Sequence, residues 1–369
     1  MTKIAIIVGT RPEIIKCSPI ICLCEERGID YFVVHTGQHY SYEMDKIFFE
    51  QLKLPQPKYN LNIKSSAPFL QGEHTGKMLI EMEKIFLKEM PTIVLVQGDT
   101  NTVLAGALTT KKIATTRSFT GMDIKLGHIE ACLRSGCDEM PEEINRKIAD
   151  HLSDFLYAPT EQSMENARKE NIDMKKVIFT GNTIVDAVNQ ISGMTGTNIL
   201  QKLSLEKGMY FLATIHRQEN VDSENRFRGI ISGLERITKK FGLPVIYPIH
   251  PRAQNLIEKF GITMPEGIRL MQPLGYLEFL ELQKGAKLIL TDSGGVQEES
   301  CILGVPCVTL RDNTERPETL DVGSNMLAGT DPEQILKCTE KMLSAASWVS
   351  PFGDGKAAER IVDHILKNA

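Results

Sequence analysis

The sequence predicts an α/β protein built on parallel sheets and divided into two domains. Three observations lead there. Short apolar strands alternate with helical patterns from one end to the other, as parallel strands joined by crossover helices require. The 369 residues exceed one ordinary domain of about 100–200 residues. Polar clusters close the strands in both halves, and open parallel sheets bind ligands beyond the carboxyl ends of their strands.

The strands read, in order, as KIAIIV (3–8), YFVVH (31–35), TIVLVQ (92–97), IKLGHI (124–129), KVIFT (176–180), MYFLATI (209–215), PVIYPI (244–249), IRLMQ (268–272), KLILT (287–291) and VPCVTL (305–310). Near-continuous apolarity bounded by turn residues marks strands covered on both faces. Helical segments follow most of them, including PEIIKCSPIICLCEE (12–26) and TVLAGALTTKKI (102–113). After TGNTIVDAV (180–188) the run QISGMTGTN loses periodicity and gathers Gly, Thr and Asn, the composition of a crossing between domains. GDGKAAERIVDHILKNA (353–369) reads as a last helix after a Gly-rich turn. The domains are placed at 1–175 with 355–369, and at 176–354.

A net charge of −5 carries no nucleic-acid footprint, so a phosphate ligand needs a local site rather than the overall field. No apolar run approaches the roughly 18 residues of a membrane helix. The opening MTKIAIIVGTRPE is a first strand, its apolar run being too brief for a signal-peptide core. The eight cysteines are scattered. Cys22, Cys24, Cys301 and Cys307 lie in apolar runs without a matching His/Cys set, so they read as reduced core thiols of a cytoplasmic protein, and no metal is inferred.

The clusters that end the strands are VGTRPE, TGQHY, QGDTNT, HIEACLR, TGNT, TIHRQEN, PIHPR, TDSGG and RDNTERPE. Their basic members are Arg11, Lys16, Arg134, Arg146, Arg217, Arg252, Arg311 and Arg316. The acidic ones are Asp99, Glu130, Glu142, Glu143, Glu298 and Glu299, and the histidines are His39, His128, His216 and His250. LILTDSGGVQEES (288–300) reads as a buried strand, a Ser-Gly-Gly turn and a helix start, which attracts anions. Each cluster also has a plain structural reading. Asp-Thr before a helix is an N-cap. A His at a turn satisfies local backbone groups. Glu142, four residues before Arg146, makes a helix ion pair of about 0.3–0.5 kcal/mol.

Together GTRPEIIK (9–16), QGDTNT (97–102), GHIEACLR (127–134), MPEEINR (140–146), TGNTIVDA (180–187), HRQEN (216–220), TDSGGVQEE (291–299) and TERPET (314–319) resemble the signature blocks of the non-hydrolysing UDP-N-acetylglucosamine 2-epimerases, in the family order and over nearly the whole chain. The resemblance implies two Rossmann-like domains in the glycosyltransferase-B arrangement, parallel sheets facing across a substrate cleft, and a last helix that crosses back to the first domain. It implies a homodimer that interconverts UDP-GlcNAc and UDP-ManNAc without cofactor, metal or nicotinamide.

The resemblance also assigns residues. Asp99, Glu130 and Glu142 match the catalytic carboxylates, and Lys16, Arg146 and His216 match catalytic or orienting positions. Arg11, Ser293, Gly294, Gly295 and Arg316 match the diphosphate site. Glu299 matches the ribose anchor and Phe279 a position that stacks on uracil, with His250 also assigned to UDP binding. Glu298 reads as a solvated or structural neighbour of Glu299.

Inverting C2 breaks a C–H bond that no carbonyl acidifies. The family expels UDP from C1 as the C2 proton leaves, giving 2-acetamidoglucal, and adds UDP back after protonation on the other face. Preformed cations and dipoles serve the departing diphosphate, and acid/base groups serve C2. Two departures stand out. TTRSFTGMD (115–123) lengthens the link before the GHIEA block as a polar surface excursion, and Cys132 stands where the family has Gly. Rival readings are a 2-epimerase of a diacetamido-uronic acid UDP-sugar, a glycosyltransferase of the same fold, and a non-catalytic UDP-sugar sensor.

Overall fold

The structure, a computed structural model, describes residues 2–37, 42–63, 70–136, 140–192 and 197–368, without the side chains of 42–45 and 47. His39 lies outside them. The chain forms two compact units, Met1–Gln190 with Phe352–Ala369, and Ile191–Pro351.

The first unit holds a seven-stranded sheet: β1 Lys3–Val8, β2 Asp30–His35, β3 Tyr59–Asn60, β4 Ile93–Gln97, β5 Lys125–Ile129, β6 Phe155–Ala158 and β7 Val177–Phe179. Their order across the sheet is β3-β2-β1-β4-β5-β6-β7, and every pairing is parallel. The second unit holds six strands: β8 Phe211–Thr214, β9 Val245–Pro248, β10 Ile268–Met271, β11 Leu288–Thr291, β12 Cys307–Thr309 and β13 Asn325–Leu327. They run β10-β9-β8-β11-β12-β13, again parallel throughout. Both orders follow the doubly wound plan, reversing direction between β1 and β4 and between β8 and β11. Ligands bind at such switch points.

The apolar runs explain the strands. Ile4 to Val8, Ile93 to Val96 and Leu288 to Leu290 are completely buried. Each such Ile or Leu stabilises its unit by roughly 1.5–3 kcal/mol through burial. The short β3, β6 and β13 carry too few apolar residues to stand out by pattern, and the sequence reading omits them.

The domain boundary moves. KVIFT supplies β7, paired with β6 through Tyr157 and Ile178, so it belongs to the first sheet rather than opening the second domain. The break falls at 190/191 instead of 175/176, and the returning segment starts at Phe352. The last helix, Ala357–Asn368, packs in the first unit, where Arg27 Nη1 donates to Asp363 Oδ1 at 2.5 Å. Asp186 caps its start, accepting from Ala357 N at 3.2 Å and Ala358 N at 2.9 Å. The TGNTIVDA block thus docks the C-terminal helix. Asp186→Ala is expected to cost about 1–2 kcal/mol, the usual loss for an N-cap. Hydrogen exchange should quicken selectively over 357–361.

Candidate active site

The first unit's switch point collects two carboxylate–cation pairs. β1 runs into the helix Arg11–Arg27, whose second turn carries Lys16. β5 ends beside Glu130. Lys16 Nζ stands 2.5 Å from Glu130 Oε2, and Gln97, the last residue of β4, donates to the same oxygen. Both Lys16 and Glu130 are 7% exposed. Glu130 sits at φ +63°, left-handed backbone that costs a side chain about 1–2 kcal/mol. Such strain gathers at sites where the surroundings over-determine the backbone.

Asp99 follows β4 and is not a helix cap. Thr100 Oγ1 takes that role for the helix Asn101–Ala114, accepting from Val103 N at 3.4 Å. The Asp99 carboxylate instead receives an Arg146 N–H. Arg146 lies on the helix Pro141–Leu152 and donates its other terminal nitrogen to Glu143 Oε2 at 2.7 Å. The partner of Arg146 on its own helix is therefore Glu143, not Glu142. Glu142 is half-buried in the first turn. Arg11 Cζ lies 4.9 Å from the Phe48 ring centroid.

Behind these pairs lies a buried network that the sequence reading did not assign. His128 Nδ1 is 2.7 Å from Asp150 Oδ1 and Nε2 is 2.8 Å from the Gly98 carbonyl. An ionised carboxylate and a carbonyl only accept, so the arrangement favours the doubly protonated ring. Burial works against that charge, but the charge and hydrogen bond of Asp150, helped by Gly98, win and raise the His128 pKa. Asp150 also accepts from Cys132 N at 3.1 Å and Arg134 Nη1 at 2.7 Å. Arg134 forks onto Glu170 with two bonds of 2.6 Å, so its role is to brace this loop. Glu13 accepts from Gly9 N at 2.6 Å, Thr10 N at 2.8 Å and Thr100 Oγ1 at 2.5 Å. It thereby ties the turn after β1 to the turn after β4. Burial pushes its pKa up to about 7.

The second unit's switch point offers an anion site. The helix Gly294–Leu303 begins at N-cap Ser293, whose side chain makes no capping bond. Among the described residues, a Cβ at Gly295 would meet nothing within 4 Å, and one at Gly294 only Glu315 Oε2 at 3.6 Å. The fold itself does not demand glycine there. The open space lies over N–H groups that suit a phosphate.

Asp292, fully buried just before the turn, accepts from His216 N at 3.1 Å, Arg217 N at 3.0 Å and Asn220 Nδ2 at 3.1 Å. His216 Nδ1 is 3.2 Å away, which directs the Nδ1 proton to Asp292. Arg316 Nε pairs with Glu298 Oε1 at 2.6 Å. Glu298 is 1% exposed, so it is the buried counter-ion of Arg316 and not a solvated neighbour. Glu299 accepts from Tyr276 and Gln283. Phe279 packs, partly buried, against the core around Val296. His250 Nδ1 accepts from Arg252 N at 3.3 Å, the local capping role.

Arg311 joins Glu219 at 3.0 Å and Glu315 at 2.8 Å. Burial alone would raise the Glu315 carboxyl, but the Arg311 hydrogen bond and the charges of Arg217 and Arg311 bring it down to about 2. A lowered carboxyl stabilises the fold fully above its unfolded value near 4.5 and loses that contribution as pH falls toward 2. The contribution amounts to about 3 kcal/mol at pH 7. In urea unfolding, the deficit of Glu315→Gln against wild type should shrink by about half or more between pH 7 and pH 3.

The family described as UDP-N-acetylglucosamine 2-epimerase matches residues 23–366. The chain belongs to the UDP-N-acetylglucosamine 2-epimerase family. It is 51% identical to the UDP-N-acetylglucosamine 2-epimerase of Methanocaldococcus jannaschii, over 98% of each chain. It is 38% identical to the UDP-2,3-diacetamido-2,3-dideoxy-D-glucuronate 2-epimerase of Pseudomonas aeruginosa, over 99% of each. The crystal structure of the Methanocaldococcus jannaschii UDP-GlcNAc 2-epimerase in complex with UDP-GlcNAc and UDP superposes with a TM-score of 0.87 at 50% identity, covering all of both chains.

Within this 2-epimerase family, the chain's Cys132 occupies left-handed backbone at φ +65°, the reason Gly suits the position. The Cys132 N–H bonds to Asp150 hold that turn in place, and the fully buried side chain joins the cluster around Leu156 and Ala158. The 115–123 segment contains a short helix, Arg117–Thr120, with Phe119 92% exposed. Among the described residues no group of three His, Cys, Asp or Glu could hold a metal ion. Among them too, no helix is long and apolar enough to cross a membrane.

Proposed function

We propose that the protein epimerises UDP-N-acetylglucosamine reversibly at C2, giving UDP-N-acetylmannosamine. The C2 proton passes to Asp99 or Glu130 as the C1–O bond breaks. The bond's electrons leave with UDP, and a C1=C2 double bond remains in 2-acetamidoglucal. Protonation of the opposite face, served by Glu142, lets UDP add back to C1. Arg11, Arg316, His216, Ser293 and the amides of Gly294 and Gly295 stabilise the departing diphosphate, while Glu299 takes the ribose, Phe279 the uracil, and His250 adds to the nucleotide site. In this reading the enzyme is a cytoplasmic homodimer that needs no added cofactor.

The observation that carries the reading is the pairing of two of the three predicted catalytic carboxylates with a cation, Glu130 with Lys16 and Asp99 with Arg146. Each cation holds its carboxylate through a charge-assisted contact, which fixes the position of a candidate proton acceptor. The higher identity to the relative named for the neutral sugar favours UDP-GlcNAc over a uronic acid substrate. The test is incubation with UDP-GlcNAc in deuterated water, followed by NMR at C2. Epimerisation with deuterium at C2 is expected. Tight binding of unchanged substrate would identify a sensor, and reaction only with an added acceptor a transferase.

A further inference from the structure

We propose that Tyr276 and Gln283 are positioning residues that aim Glu299 at the nucleotide's ribose and so set the enzyme's preference for ribonucleotides over deoxyribonucleotides. The inference rests on the reading that Glu299 accepts from ribose hydroxyls. Tyr276 Oη donates to Glu299 Oε1 at 2.8 Å, and Gln283 Nε2 donates to Oε2 at 2.6 Å. With one donor fixed on each oxygen, the carboxylate plane is set and cannot swing toward the electropositive start of its own helix. A carboxylate has about four acceptor positions, so these two bonds are compatible with a ligand's hydroxyls.

The donors belong to one face of the helix Tyr276–Gly285. Tyr276, Phe279 and Gln283 are spaced three and four apart, the interval that stacks side chains on successive turns. The same face thus presents the candidate uracil platform and both anchors of the candidate ribose acceptor. Tyr276 and Glu299 are each 7% exposed and Gln283 is fully buried. Gln283 Oε1 has no hydrogen-bond partner among the described residues. A purely structural glutamine would seldom keep a fully buried acceptor unpaired. Its amide is retained for the bond it gives to Glu299.

That orphan oxygen separates positioning from stability. Gln283→Met has similar volume and removes the unpaired acceptor along with the donor, which offsets part of the cost of the bond lost to Glu299. Calorimetry should compare UDP with its 2′,3′-dideoxy analogue on wild type, Gln283→Met and Tyr276→Phe. Wild type is expected to bind UDP at least about tenfold more tightly, the scale of hydroxyl bonds to a charged acceptor. In both variants the ratio should fall to about threefold or less, through weaker UDP binding and unchanged affinity for the dideoxy analogue. A large ratio in wild type that survives in both variants overturns the positioning role. Equal weakening of both nucleotides also overturns it and leaves only a structural role. A wild-type ratio near one instead removes the Glu299–ribose contact on which the inference rests.

Discussion

Asp99→Asn is expected to lower turnover of UDP-GlcNAc at least about 100-fold while the protein folds as wild type does. Removing a general base forfeits roughly 10²–10⁴ in rate. The geometry makes this substitution a clean probe. Asp99 is 31% exposed at its side chain, and Arg146 keeps Glu143 as a second carboxylate partner. No buried charge is stranded. Glu130→Gln should show a comparable loss of rate with a second symptom. Its charge is the ion-pair partner of the buried Lys16, and breaking a buried pair from one side costs about 3–5 kcal/mol. From sequence both variants are expected to fold intact; the structure restricts that to Asp99→Asn. Steady-state rates beside urea unfolding curves check both. Wild-type turnover in Asp99→Asn would take Asp99 out of the mechanism.

The second large effect is at the helix start. Gly295→Leu should bind UDP at least about 100-fold more weakly with no loss of thermal stability. Among the described residues a Cβ there meets no atom within 4 Å, so the added side chain starts into open space. Leu is also the better helix former by roughly 0.5–1 kcal/mol. The side chain takes the volume in which a diphosphate would meet the first-turn amides. Each hydrogen bond to a charged oxygen is worth about 1.5–3 kcal/mol, so losing two reaches 100-fold. Titration calorimetry with UDP reads the effect directly. Undiminished affinity would remove this helix start from the diphosphate site.

The elements were legible where periodicity was strong and failed where they were short. The long apolar runs reappear as buried parallel strands, while β6 is only the four residues FLYA. In the site, strand-end position singled out Asp99, Glu130 and the 293–295 turn. It could not name Asp150, Asp292 or Tyr276, because their roles depend on partners 16 to 76 residues away. Nor could it separate Glu142 from Glu143, since spacings of three and four both reach Arg146 on a helix. The helix Pro141–Leu152 turns Glu143, Asn145 and Arg146 inward and leaves Ile144 53% exposed. No hydropathy pattern predicts that inversion, because the buried ion pairs that drive it join separate segments.

The repeated strand order has a consequence for how such enzymes diversify. One plan, used twice, carries carboxylate–cation pairs after β4 and β5 and an open amide cradle after β11. In the proposed reaction, carbon-acid chemistry therefore falls to the first unit and most of the nucleotide recognition to the second. On that reading, a lineage that exchanged uridine for another base would rewrite residues of the second unit and inherit the proton machinery unchanged.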